Sequence, residues 1–75
     1  MSEVIRELEE RERKAREVRR EMANWEFIDR QEPKVKAALK FLVETGDLRT
    51  ASKLAGMNID ELASIAKKAN IPSGP

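Results

Sequence analysis

Apolar residues in the first third of the chain recur at alternating steps of three and four. Met1, Val4, Leu8, Ala15, Val18, Met22 and Trp25 hold the repeat, and Arg11 occupies the remaining position of the series. That spacing is the seam of a coiled coil, in which two helices interlock side chains along a shared stripe. From Glu3 to Arg30 there is neither Gly nor Pro, so one helix is expected to run through the segment, with Ser2 as its N-cap. Continuous to Asp29, it would be about 40 Å long. Glu stands four residues before a base at Glu7–Arg11, Glu9–Arg13, Glu10–Lys14, Glu12–Arg16 and Glu26–Arg30. Each such pair adds about 0.2–0.5 kcal/mol to an isolated helix.

A narrow stripe on a lone helix would face water. It is expected to meet a partner helix, most simply the same helix in a second copy, through Val4, Leu8, Ala15, Val18, Met22 and Trp25. The competing expectation is a solvated, salt-laced helix whose last two turns pack on the domain behind it. Trp25, Phe27 and Ile28 form the bulkiest apolar group. They are expected to join the two parts of the chain, or else to anchor a partner, as exposed Trp often does.

Past residue 32 the pattern shortens. Pro33 suits a first helical position and forces the residue before it out of helical geometry. Val35, Ala38, Leu39, Leu42 and Val43 share one face, and Gly46 follows as a C-terminal cap. Asp47 is placed to cap a helix carrying Leu48, Ala51, Leu54 and Ala55, which Gly56 ends. Asn58 and Glu61 form a capping-box arrangement before Ile59, Leu62, Ile65, Ala66 and Ala69. Ile71-Pro72 closes that helix, and residues 73–75 read as a disordered tail. The expected fold is all-α: a long coiled-coil-like helix over residues 1–32, then a tri-helical helix-turn-helix domain over residues 33–72.

Composition narrows the chemistry. The 75 residues are 39% charged, yet the net charge is +1. Residues 1–32 hold eight bases and ten acids, whereas residues 33–75 hold seven and four. That is a salt-bridged surface rather than a polyanion-binding tail. No His and no Cys occurs, which removes the commonest general base, the commonest metal ligand and any thiolate site. Gly46, Gly56 and Gly74 are isolated, so no glycine loop cradles phosphate. The chain therefore reads as a non-enzyme with no cofactor and no metal. A single Gln with abundant Glu, Lys and Arg leans toward a thermophile's usage. No apolar run approaches the roughly 20 residues that span a bilayer, and the N-terminus lacks a signal peptide's pattern, so a cytoplasmic location is expected.

The stretch Thr50–Ile65 resembles a helix-turn-helix. Ala51, Ser52 and Ala55 are small enough for two helices to cross closely, and Gly56 supplies the left-handed corner. Met57, Leu62 and Ile65 fall where the motif buries apolar side chains. Ala51, Leu54-Ala55-Gly56-Met57 and Ile71-Pro72 are also similar to the C-terminal half of small archaeal antitoxin-like proteins. That resemblance implies pairing with PIN-domain ribonuclease toxins. The turn resembles the C-terminal helix-turn-helix of Fis-type nucleoid proteins as well. Both likenesses cover residues 33–72 only, and the helix of residues 1–30 departs from the antitoxin-like pattern.

Two functions follow as expectations. The first is a dimeric DNA-binding regulatory or nucleoid-associated protein on double-stranded DNA. In such a motif the start of the second helix enters the major groove, which turns Asn58, Ile59, Asp60, Ala63, Ser64 and Lys67 outward. The contact candidates are Arg49, Lys53, Asn58, Ser64, Lys67 and Lys68. Asp60 and Glu61 oppose phosphate, so binding would need a dimer to double the cations, among them Lys34, Lys36 and Lys40. The second expectation is a protein-docking adaptor, with a toxin or a replication or transcription complex as partner. There the two acids only complement the helix dipole.

Overall fold

The computed structural model describes residues 2–72, except the side chain of Ser2. The expected cap by Ser2, the seam position of Met1 and the disordered tail of residues 73–75 lie outside the described residues. Five helices follow in order: α1 (Ser2–Met22), α2 (Trp25–Asp29), α3 (Pro33–Thr45), α4 (Leu48–Ala55) and α5 (Ile59–Lys68). Among the described residues there is no strand. The molecule measures 42 × 22 × 19 Å. A helix of 21 residues is about 31 Å long, so α1 sets the long axis.

The first helix does not continue to Asp29. It stops at Met22, and Asn24 starts α2. The Asn24 side chain accepts a hydrogen bond from the Phe27 amide at 3.1 Å. Its own backbone N–H donates to the Ala69 carbonyl at 2.7 Å, just past the end of α5. The Trp25 indole N–H donates to the Arg20 carbonyl at 2.9 Å, satisfying an acceptor that the break leaves free. A helix-capping side chain and a tertiary hydrogen bond thus end α1 without Gly or Pro.

The later helices begin where the punctuation predicts, and α3 and α4 end there too, whereas α5 stops at Lys68, short of the Ile71-Pro72 expected to close it. Pro33 occupies the first turn of α3, and Gly46 ends it at φ +72°. The Asp47 carboxylate accepts from the Thr50 amide at 3.0 Å and from its hydroxyl at 2.6 Å. Those bonds, the hydroxyl first, hold the Asp47 carboxyl below its ordinary range. Gly56 ends α4 at φ +68°. The Gly56 amide donates to Lys53 O and the Met57 amide to Ser52 O, so both bonds of a Schellman turn are made. Asn70 repeats that turn after α5 at φ +57°, with the Ile71 amide donating to Ala66 O.

One core lies between α3, α4 and α5. Leu39, Leu42, Val43 and Leu62 are fully buried, and Ala38, Ala51, Ala66 and Ala69 fill the close approaches between helices. Ile28 from α2 and Ala23 from the α1–α2 break belong to the same core, with Phe27 packed against it. The joining role expected of Trp25, Phe27 and Ile28 is thus carried by Ile28 and Phe27, while Trp25 stays 39% exposed. Leu54, grouped with the apolar positions of its helix, is exposed, and Ile59 is exposed too, on the side that the helix-turn-helix spacing turns outward. Both flank the Gly56 corner.

Candidate functional site

Three arginines fix α1 against the C-terminal end of α3. Arg19 is buried, and its Nε donates to the Val43 carbonyl at 2.7 Å. Arg16 Nε donates to the Glu44 carbonyl at 3.1 Å. Arg20 grips the Glu44 carboxylate with both Nε and Nη2, at 3.0 and 2.7 Å. The end of a helix presents unsatisfied carbonyls and the negative pole of its dipole, so guanidinium groups suit it. The paired hydrogen bond from Arg20 holds the Glu44 carboxyl below its ordinary value and pushes the Arg20 guanidinium up. This bidentate pair is solvent-exposed and contributes little by charge alone. Burial of Arg19 is what makes the seat specific.

This use of the arginines changes the expected salt ladder. Among the described residues, Arg16 turns to Glu44 rather than Glu12. Arg13 pairs with Glu10 at 3.7 Å, while Glu26–Arg30 forms as expected at 2.9 Å. The docking face runs through Arg16, Arg19, Arg20 and Ala23, spaced so that they share one side of the helix.

The heptad stripe lies about a third of a turn away from that face, by the 100° step per residue. Val4, Leu8, Val18 and Met22 are 61%, 55%, 46% and 54% exposed, and Ala15 and Arg11 are exposed between them. Ile5, outside the heptad, is 56% exposed. Isolated apolar side chains on a surface are ordinary. Here they align along one helix, and among the described residues nothing else covers them.

The second candidate surface is the corner between α4 and α5. Arg49 and Lys53 sit one turn apart on α4, and both are exposed. On α5 the exposed positions Asp60, Glu61, Ser64, Lys67 and Lys68 run from acid to base along the helix. That gradient complements the helix dipole. The structure leaves Asn58 poorly placed to read a base. Its Oδ1 accepts from the Glu61 amide at 2.9 Å, and its Nδ2 donates to Glu61 Oε1 at 2.8 Å. Both polar ends are engaged in the capping box. Leu54 and Ile59 add exposed apolar area at the corner, with Met57 half-buried between them in sequence.

Sequence reasoning missed the arginine seat and Ile5. The seat had a legible signal, since Arg16, Arg19 and Arg20 recur at helical spacing with Ala23. Nothing in that spacing told which acceptors they would meet. The concavities in the surface are lined mainly by exposed side chains, such as Asn24, Glu26 and Arg30 around one of them. Among the described residues no group of three or more His, Cys, Asp or Glu is placed to hold a metal ion. Among the described residues no helix is long and apolar enough to cross a membrane. No protein-family model, no curated protein and no solved structure matches the chain.

Proposed function

We propose that the chain is a protein-docking module whose binding surface is the apolar stripe of α1. The observation that carries this reading is the alignment of Val4, Leu8, Val18 and Met22, each about half exposed or more, on a helix that Arg19 seats on α3. A helix held at one end by its own domain presents the rest at low entropic cost to a partner. An amphipathic helix is then recognised through apolar anchors one turn apart.

The test is affinity capture from the native source with nuclease added, comparing the unaltered chain with Leu8→Glu/Val18→Glu. The bound protein should survive nuclease and disappear with the double variant. Equal recovery on both baits would sink the reading.

A second reading, DNA binding by a dimer, draws support from the α4–Gly56–α5 corner and from the exposed cations Arg49, Lys53, Lys67 and Lys68. The acidic start of α5 and the engagement of Asn58 weigh against it. Titration of a labelled duplex at about 50 mM salt, where phosphate contacts are strong, separates the two. Binding that Lys53→Glu/Lys67→Glu abolishes, with helicity intact, would replace docking by DNA recognition.

A further inference from the structure

We propose that the partner on the α1 stripe is a second copy of this chain, docked antiparallel over residues 4–15, with Leu8 of each copy opposite the partner's Arg11. The inference rests on the docking reading of the stripe and adds occupant, direction and register.

Charge, together with the seat of α1 on α3, selects this arrangement. In a coiled coil the residues flanking the seam face each other in a pattern set by helix direction. With Leu8 and Ala15 at a and Val4, Arg11 and Val18 at d, the flanking positions are Ile5, Glu12 and Arg19 on one side, and Glu7, Lys14 and Glu21 on the other. A parallel pair brings Glu7 beside the partner's Glu12 and Lys14 beside the partner's Arg19, both like-charged. An antiparallel pair sliding Leu8 onto the partner's Val18 sets Glu7 against the partner's Glu21 and Lys14 against the partner's Lys14. Sliding Leu8 onto the partner's Val4 sets Glu7 against the partner's Glu7. Among overlaps that end before Arg16, only Leu8 opposite the partner's Arg11 places opposite charges together, Glu7 with the partner's Lys14, twice by symmetry. Leu8 opposite the partner's Trp25 would also set Lys14 against the partner's Glu21, but it centres the overlap on residues 15–18, where Arg16 and Arg19 already seat the helix on its own α3.

The structure leaves these groups free to do so. Glu7 and Lys14 are exposed, and neither makes an ion pair among the described residues. Val4 then faces the partner's Ala15, a large side chain over a small one. Arg11 lays its methylenes over the partner's Leu8 and keeps its guanidinium in water. The overlap ends before Arg16, where the helix begins to touch its own α3. The two globular ends therefore sit at opposite ends of the paired arms and do not collide. With so short an apolar overlap the dimer is weak and reversible.

The natural chain has no cysteine, so introduced thiols report without background. Val4→Cys and Ala15→Cys chains of all 75 residues are oxidised separately and as an equal mixture. The mixture should give disulfide dimers well above either chain alone. In the proposed register Val4 and the partner's Val4 are 11 residues apart along the axis, about 16 Å, too far for a disulfide. Sedimentation at several concentrations should show dimer that Leu8→Glu or Lys14→Glu weakens at least about tenfold. Glu7→Lys/Lys14→Glu should restore it. Self-linking of Val4→Cys, or no gain in the mixture, overturns the antiparallel register and leaves the docking reading intact. Monomer mass at every concentration overturns the second copy as occupant, and capture of a different protein then decides the docking reading alone. A dimer indifferent to Leu8→Glu overturns both.

Discussion

Leu8 and Leu42 are the same residue in the same kind of helix, each on an apolar face with helical spacing. Leu42 is fully buried, whereas Leu8 is 55% exposed. The difference lies in what surrounds them. Around α3, helices α4 and α5 turn back at Gly46 and Gly56 and supply cover. Among the described residues nothing turns back over the stripe of α1, and the helix is held at one end through guanidinium-to-carbonyl bonds. Periodicity shows which residues share a face. Whether that face meets anything depends on chain reversals elsewhere.

The contrast breaks most sharply under truncation. Leu42→Ala should cost about 2–5 kcal/mol in denaturant unfolding, a large part of the roughly 4–11 kcal/mol expected for a chain of this size. Leu8→Ala should move the monomer's stability by less than about 0.5 kcal/mol. Equal losses would mean that the arm is part of the folded core. Next in size is Arg19→Met, which removes a buried charged donor from α3's last carbonyls at a cost of about 1.5–3 kcal/mol. Amide exchange should then quicken in α1 more than in α4 and α5. Uniform quickening would show that the arginine seat is not a separate attachment.

Smaller effects should separate the two glycine corners. Both adopt left-handed φ, so alanine at either costs about 1–2 kcal/mol. A Cβ on Gly46 would lie 3.0 Å from Arg19 Nη1, whereas one on Gly56 meets nothing within 4 Å. Thermal melts should rank Gly46→Ala as the more damaging change; the reverse ranking would mean that the Arg19 guanidinium yields freely.

The smallest effect is in acid. The folded-state values of Glu44 and Asp47 lie below their ordinary 4.5 and 3.8. Their contribution is present above those unfolded-state values and is lost as pH falls through the lower folded ones. Melts between pH 6 and pH 3 should show a decline that begins near 4.5. Glu44→Gln should flatten its upper part and leave the part owed to Asp47. An unchanged curve would remove the Arg20–Glu44 pair from the account.

Most helix ends were legible because they depend on local chemistry. Pro33, Gly46, Asp47, Gly56 and Asn58 each act within a few residues of their own backbone, and each stands where its chemistry requires. The break at Asn24 was not legible. Asn-Trp-Glu-Phe carries a capping residue, but the unbroken heptad through Met22 and Trp25 masked it, and the bond to Ala69 O spans 45 positions of sequence. Leu54 was misplaced for a related reason. Helical spacing grouped it with the apolar residues of α4, and only the packing of the helices left it 50% exposed.

By itself the sequence determined the all-helical class, the starts of α3 to α5, the stops of α3 and α4, and which residues of each helix share a side. These are one-dimensional properties, governed by backbone sterics and hydrogen bonds that close within a turn. Tertiary structure decided where α1 ends, that Arg16, Arg19 and Arg20 seat it on α3, and that its apolar stripe stays uncovered while the stripe of α3 does not. Those outcomes depend on distant segments competing for the same acceptors and the same apolar surface, and no local rule ranks such competitors.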